Sequence, residues 1–198
     1  MPDVILASSS MVRARLLRAA GLQVETMAPR VDEGALRESL QAEAIKPRDI
    51  ADALAEAKAR KVSARNPGDL VLGCDQVLVH DNCLVSKSLD IGAATQLLKK
   101  LRGGTHQLLS AACIYRNGTP LWRHIGTAHL TMREFSDEYL DRYLARNWDT
   151  VRGAVGCYHI EDEGVRLFSE VKGDQFIIMG LPLLEILNFL STRGDIDG

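Results

Sequence analysis

The 198-residue chain carries almost no excess of charge: 24 Lys and Arg stand against 26 Asp and Glu, a formal net of -2. Without a global basic field, nucleic acid is not an expected partner. Cysteine is sparse. Cys74, Cys83, Cys113 and Cys157 form no Cys-x-x-Cys pair and have no histidine at zinc-finger spacing. A zinc-finger or disulfide framework is thereby excluded, and the four read as small buried apolar residues in a reducing compartment. Long apolar runs are missing too. The longest, residues 176–190, is broken by Gly180, Pro182, Glu185 and Asn188 and cannot span a bilayer. The first seven residues are acidic where a secretory signal is basic. The expectation is a cytoplasmic protein with no membrane partner. Walker A, G-x-G-x-x-G, G-x-S-x-G and H-E-x-x-H patterns are absent, so the commonest nucleotide and hydrolase signatures are excluded.

A chain of this length buries about 70% of its unfolded surface and needs neither disulfide nor structural metal. It is read as a single domain over residues 1–198. Residues 4–7 form a strand-length apolar run, followed by Ser8-Ser9-Ser10; Ser10 caps a helix that turns Leu16, Leu17 and Ala20 to the core and stops at Gly21. Helical spacing runs from Asp49 through Ile50, Leu54, Ala57 and Val62 to residue 65. Residues 70–74 and 77–79 suit a strand buried on both faces. Asp90 caps a helix bearing Ile91, Ala94, Leu97, Leu98 and Leu101, closed by Gly103-Gly104. Residues 107–116 and 121–132 flank Asn117-Gly118, a strong hairpin signal. Ser136 caps a further helix, a strand pair is expected around 165–171 and 175–179, and Pro182 opens the last helix. Together these predict an α/β chain with a mixed sheet and flanking helices.

Few residues invite chemistry. Ser8, Ser10 and Arg13 put hydroxyls, backbone N–H groups and a guanidinium at a helix start, a phosphate-friendly set; the plainer reading is a cap and a solvated charge. Asp75 closes a buried strand in Gly73-Cys74-Asp75-Gln76, where a carboxylate is hard to explain as packing unless a cation or metal offsets it. Lys58 continues the Ile50, Leu54 row of its helix, either turned inward or snorkelling to solvent. Asp32-Glu33 is read as part of a polar loop, and Lys87 lies between Ser86 and Ser88. His159 either lines a pocket or packs.

Taken in order, Leu6-Ala7-Ser8-Ser9-Ser10-x-x-Arg13, Val31-Asp32-Glu33, Ala55-Glu56-Ala57-Lys58-Ala59, Gly73-x-Asp75, Lys87, His106, Gly156-x-Tyr158-x-Ile160 and Gly173-Asp174 before Gly180-Leu181-Pro182 resemble the Maf family of nucleoside triphosphate pyrophosphatases. The resemblance implies an elongated, two-lobed α/β fold with a central cleft, similar to that of the inosine triphosphate pyrophosphatases. It also implies hydrolysis between the α- and β-phosphates with a divalent cation, Mg²⁺ or Mn²⁺, and it is compatible with a homodimer. Under it, Asp75 matches the proton acceptor, Arg13, Glu33, Lys58 and Lys87 match phosphate- and metal-side residues, and Ser8 and Ser10 belong to the same first loop. Glu33 and Asp75 are the metal-side carboxylates.

Asp75-Gln76 and Ile160-Glu161 resemble the branch acting on 7-methyl-GTP rather than the one that prefers dTTP and UTP. A carboxylate at Glu161 can accept from the guanine N1–H and amine and attract the charge of an N7-methylated base. Val12 stands where that branch has an aromatic residue, Ser86 and Ser88 replace the residues usually flanking the lysine, and Ile177 replaces a common Asn. The alternatives are a dTTP/UTP pyrophosphatase and a nucleotide-binding regulator of cell division without turnover.

Overall fold

The computed structural model describes residues 2–197. Its first strand, β1 (Val4–Ala7), is buried at all four positions. It lies between two parallel neighbours, β2 (Val24–Thr26) and β3 (Val71–His80), with Ala7 opposite Gly73. Side chains alternate across such a strand, and the core divides accordingly. Val4 and Leu6 join Leu72 and Cys74 of β3 in one cluster, with Leu16 and Leu17 of α1 (Met11–Ala19) and Leu183, Ile186 and Leu190 of α7 (Leu183–Arg193). Ile5, Ala7 and Val71 face the other way, onto Val62 of α3 (Pro47–Ser63). By the same alternation Gly73 and Asp75, in register with Val71, face α3.

The remaining strands are β4 (Cys83–Val85), β5 (Thr105–Arg116), β6 (Thr119–Met132) and β7 (Phe168–Lys172). The mixed seven-stranded sheet runs β2-β1-β3-β5-β6-β7, and β4 pairs antiparallel with β3. Helices α2 (Glu33–Ala42), α4 (Ile91–Leu101), α5 (Asp137–Val151) and α6 (Gln175–Ile178) complete the chain. Two compact units result. The first comprises Met1–Gln76, Leu109–Gly126 and Gln175–Gly198, and the second Val77–Leu108 and Thr127–Asp174. Among the described residues no helix is long and apolar enough to cross a membrane.

Most sequence expectations match these elements, with instructive exceptions. Glu33 is not in a loop: Asp32 caps α2 by accepting from the Ala35 N–H, and Glu33 is its first helical residue. No residue of α2 is buried, so it offers no apolar stripe to read. In α1, Ala14 is buried where Ala20, expected in the core, is exposed. Ile91 of α4 is exposed as well. Residues 175–179 do not form a strand. Gly173, at φ 132°, turns the chain away, and Ile177 and Ile178 are both buried although adjacent, which a one-faced strand forbids and a helical turn allows. Val165 lies in a 3-10 turn, Glu163–Leu167, and β7 pairs with β6 instead of forming a hairpin with 175–179. Cys83 is exposed, unlike the other three cysteines.

Candidate active site

The first unit concentrates its charge chemistry where α3 meets β3. Lys58 and Asp75 are 4% and 5% exposed. The Lys58 ammonium donates to Asp75 Oδ1 at 2.7 Å, pairs with Glu33 Oε2 at 2.9 Å, and points its third donor at the Cys74 carbonyl, 3.4 Å away. A buried lysine needs such partners, because desolvation without them costs several kcal/mol. Asp75 Oδ2 is buried and has no hydrogen-bond partner among the described residues. One oxygen of the carboxylate is thus anchored, while the other lies buried with its acceptor capacity unused among the described residues.

Gly73 makes this approach possible. A Cβ there would stand 2.2 Å from the Ala55 carbonyl oxygen and 2.7 Å from the Ala59 amide nitrogen. Only a residue without a side chain lets the α3 backbone come so close, and Lys58 lies between those two helix positions. Helix α3 is further tied down by Arg123, which bridges Asp52 at 2.7 Å and Glu56 at 3.2 Å, while Tyr115 donates to Glu56 at 2.7 Å. The Tyr115 bond, followed by Arg123, holds the Glu56 carboxyl below its ordinary range despite partial burial.

Arg13 is docked on backbone. Its Nε donates to the Gly180 carbonyl at 2.8 Å, and Nη1 donates to Ser8 Oγ at 3.3 Å and the Cys74 carbonyl at 3.2 Å. Nη2 is the edge these bonds do not use. Gly180, at φ 95°, would bring a Cβ to 3.2 Å from Arg13 Nε, so a glycine suits both the left-handed turn and the guanidinium against it. Ser8 also accepts from the Ser10 N–H, and Ser10 accepts from the Arg13 N–H as the α1 cap. The amides of Ser10 and Arg13, expected as anion donors, are therefore satisfied within the loop. Cys74 contributes its carbonyl to both cations, and burial raises its thiol to about 11, so it is not a thiolate at neutral pH.

Gln76, beside Asp75, donates through Nε2 to Ser110 Oγ at 3.0 Å and to the Ile177 and Ile178 carbonyls at 3.1 and 2.9 Å. Ser110 is fully buried and itself donates to the Ile177 carbonyl at 2.7 Å. Val12 is half-buried and packs against the first unit's core. Sequence reasoning missed Ser110. Its only signal was one hydroxyl within the apolar run Leu108-Leu109-Ser110-Ala111-Ala112-Cys113-Ile114. The carbonyls of Cys74 and Gly180 had no side-chain signal at all.

Lys87, Glu161 and His106 belong to the second unit. Lys87 is exposed in the segment between β4 and α4, and Glu161 is half-buried in the turn before Glu163–Leu167. His106 is buried, its Nε2 is 2.6 Å from the Tyr158 hydroxyl, and Tyr158 meets Phe168 edge to face. Burial, and then the neighbouring His80, lower His106 to about 4. His159 sits with Nδ1 3.5 Å from Asp162. The turn is held by Glu163, which accepts from Arg146 and Asn147 and is lowered to about 2 by these bonds.

Among the described residues no group of three or more His, Cys, Asp or Glu is gathered as a metal cage. The site fits a divalent ion in a lesser way. Glu33 and Asp75 converge on Lys58, Asp75 Oδ2 has no hydrogen-bond partner among the described residues, and hard oxygen donors suit Mg²⁺ or Mn²⁺.

Residues 3–193 match the family described as Maf-like protein. The chain is 55% identical over 194 residues to a nucleoside triphosphate pyrophosphatase of Ruegeria pomeroyi, covering 98% of each protein. It is 53% identical over 197 residues to a protein of the same name from Roseobacter denitrificans, covering 99% of each. A 7-methyl-GTP pyrophosphatase of Mesorhizobium japonicum is 48% identical over 195 residues, 98% of each chain. With a family match over residues 3–193 and relatives above 50% identity across nearly the whole length, the chain belongs to the Maf family.

Proposed function

We infer that this chain is a nucleoside triphosphate pyrophosphatase that releases a nucleoside monophosphate and pyrophosphate, with 7-methyl-GTP as its preferred substrate. The observation that carries the reading is the buried Lys58 bridging two carboxylates while Asp75 Oδ2 has no hydrogen-bond partner among the described residues. A carboxylate anchored through one oxygen and with acceptor capacity unused at the other is suited to orient a water and take its proton as that water attacks phosphorus. Lys58 fixes the carboxylate through its 2.7 Å bond to Oδ1.

The local charge supports a cation requirement. Lys58 is outweighed by Glu33 and Asp75, and adding Arg13 only brings the group to neutrality. A triphosphate therefore needs further positive charge, which phosphoryl transfer uses chiefly to neutralise the transferring group. Asp75 and Glu33 would hold a Mg²⁺ or Mn²⁺ ion, which when bound would polarise the phosphate oxygens and offset their charge. On this reading Arg13 and Lys87 are phosphate-side cations, Ser8 and Ser10 shape the loop that presents Arg13, and Glu33 completes the lysine's pairing.

The base preference rests on two supports. Relatives from Mesorhizobium japonicum and Brucella abortus carry the name 7-methyl-GTP pyrophosphatase, at 48% and 43% identity. Glu161 offers the acceptor and negative charge that an N7-methylated guanine calls for. A triphosphate panel assayed with Mg²⁺ and with Mn²⁺, with products resolved, tests both levels. Monophosphate plus pyrophosphate, formed fastest from 7-methyl-GTP, is the expected result. Preference for dTTP or UTP overturns the base assignment, and release of orthophosphate overturns the bond assignment.

A further inference from the structure

Ser110 is fully buried in β5 and binds no charged group, yet it sits at the centre of a hydrogen-bond chain that ends on Arg13. Its hydroxyl accepts from Gln76 Nε2 and donates to the Ile177 carbonyl. Gln76 in turn donates to the Ile177 and Ile178 carbonyls. These carbonyls belong to the last two residues of α6, and the turn that follows is closed by a bond from the Gly180 N–H to the Ile177 carbonyl at 3.0 Å. Gly180 then offers its own carbonyl to Arg13 Nε at 2.8 Å. A four-residue helix has too few internal hydrogen bonds to fix itself. It is held from outside, by the packing of Phe176, Ile177 and Met179 and by hydrogen bonds from two side chains rooted in β3 and β5.

We propose that Ser110 is a positioning residue, acting with Gln76 to fix the 177–180 segment on which the Arg13 guanidinium docks. The inference rests on the reading of Arg13 as a phosphate-side cation. A guanidinium pinned through Nε and Nη1 presents its Nη2 edge in one direction, and a shift of the Gly180 carbonyl re-aims that edge. Misplacing a positioned charge by about 1 Å costs on the order of 10²-fold at the extreme, whereas losing one buried hydroxyl's hydrogen bonds is worth about tenfold.

A double-mutant cycle separates this role from general structural support. Ser110→Ala, Arg13→Lys, the double variant and the parent chain are compared by kcat/KM for pyrophosphate release, with circular dichroism melts establishing that each is folded at the assay temperature. Arg13→Lys keeps a charge and thus measurable turnover, but loses the planar fork that reads Gly180. Ser110→Ala should lower kcat/KM about tenfold in the parent and less than about twofold in the Arg13→Lys background, because coupled residues are not additive. An equal loss in both backgrounds, or no loss in either, overturns the positioning role while leaving the proposed chemistry standing. Unchanged activity in Arg13→Lys overturns the role of Arg13 itself, and the inference with it. Should Ser110→Ala fail to fold, Ser110→Cys, nearly the same size and a weak donor, enters the same cycle with the same expected coupling.

Discussion

Asp75 and Lys58 share one ion pair but have unequal alternatives when it is broken. Replacing Asp75 by Asn keeps the volume and leaves Lys58 paired with Glu33 at 2.9 Å. The expected result is a folded protein whose kcat falls about 10²- to 10⁴-fold, the range a lost general base produces. Replacing Lys58 by Met strands a carboxylate that is 5% exposed. Loss of one partner from a buried pair costs about 3–5 kcal/mol, so this variant should show the larger drop in urea-unfolding free energy. Equal destabilisation by the two substitutions would mean that Glu33 does not compensate, and near-parent turnover in Asp75→Asn would remove that residue from the chemistry.

At the scale of elements, the site depends on how closely α3 rides on β3. Gly73→Ala would drive a methyl into the Ala55 carbonyl and the Ala59 amide. Because both are helix backbone, no side-chain rotamer relieves the clash. The helix must move, at a cost of at least about 3 kcal/mol, the upper end for overpacking, and Lys58 moves with it. Equilibrium unfolding and kcat should therefore fall together; a variant with parent stability would refute the close approach. This contact also shows what the sequence could and could not convey. Asp75 was legible because a carboxylate ending an apolar run is anomalous, and Lys58 because it continued the Ile50, Leu54 row. The caps at Ser10, Asp90 and Ser136 were legible because they are local. Helix α2 was not, since it buries nothing, and neither was α6, because an apolar run such as Phe176-Ile177-Ile178-Met179 has no period that distinguishes four helical residues from a strand. Ser110 and the docking of Arg13 on Gly180 depend on pairings between residues 67 and 167 positions apart, which no local pattern encodes.

For the whole molecule, the chain invests its buried polar groups unevenly between its two units. The first holds Lys58 and Asp75, which compensate each other; the second holds His106, which does not share its burial with an opposite charge. His106 keeps Nε2 against the Tyr158 hydroxyl, while its Nδ1 is buried with no hydrogen-bond partner among the described residues. Burial and His80 depress it from 6.5 to about 4. The unfolded chain therefore binds a proton as pH falls through 6.5, whereas the folded chain does so only near 4. More protons on the unfolded side means that stability declines with falling pH across that window, by roughly 3 kcal/mol once pH reaches the lower value. Above 6.5 both states carry a neutral ring and the contribution is flat. His106→Gln retains a polar group beside Tyr158 without a titrating ring. Urea midpoints measured for both proteins between pH 7.5 and about 4.5 should diverge, the parent losing stability more steeply. Carboxylates common to the two chains cancel in the difference, so parallel curves would show that His106 is not the buried neutral group its surroundings describe.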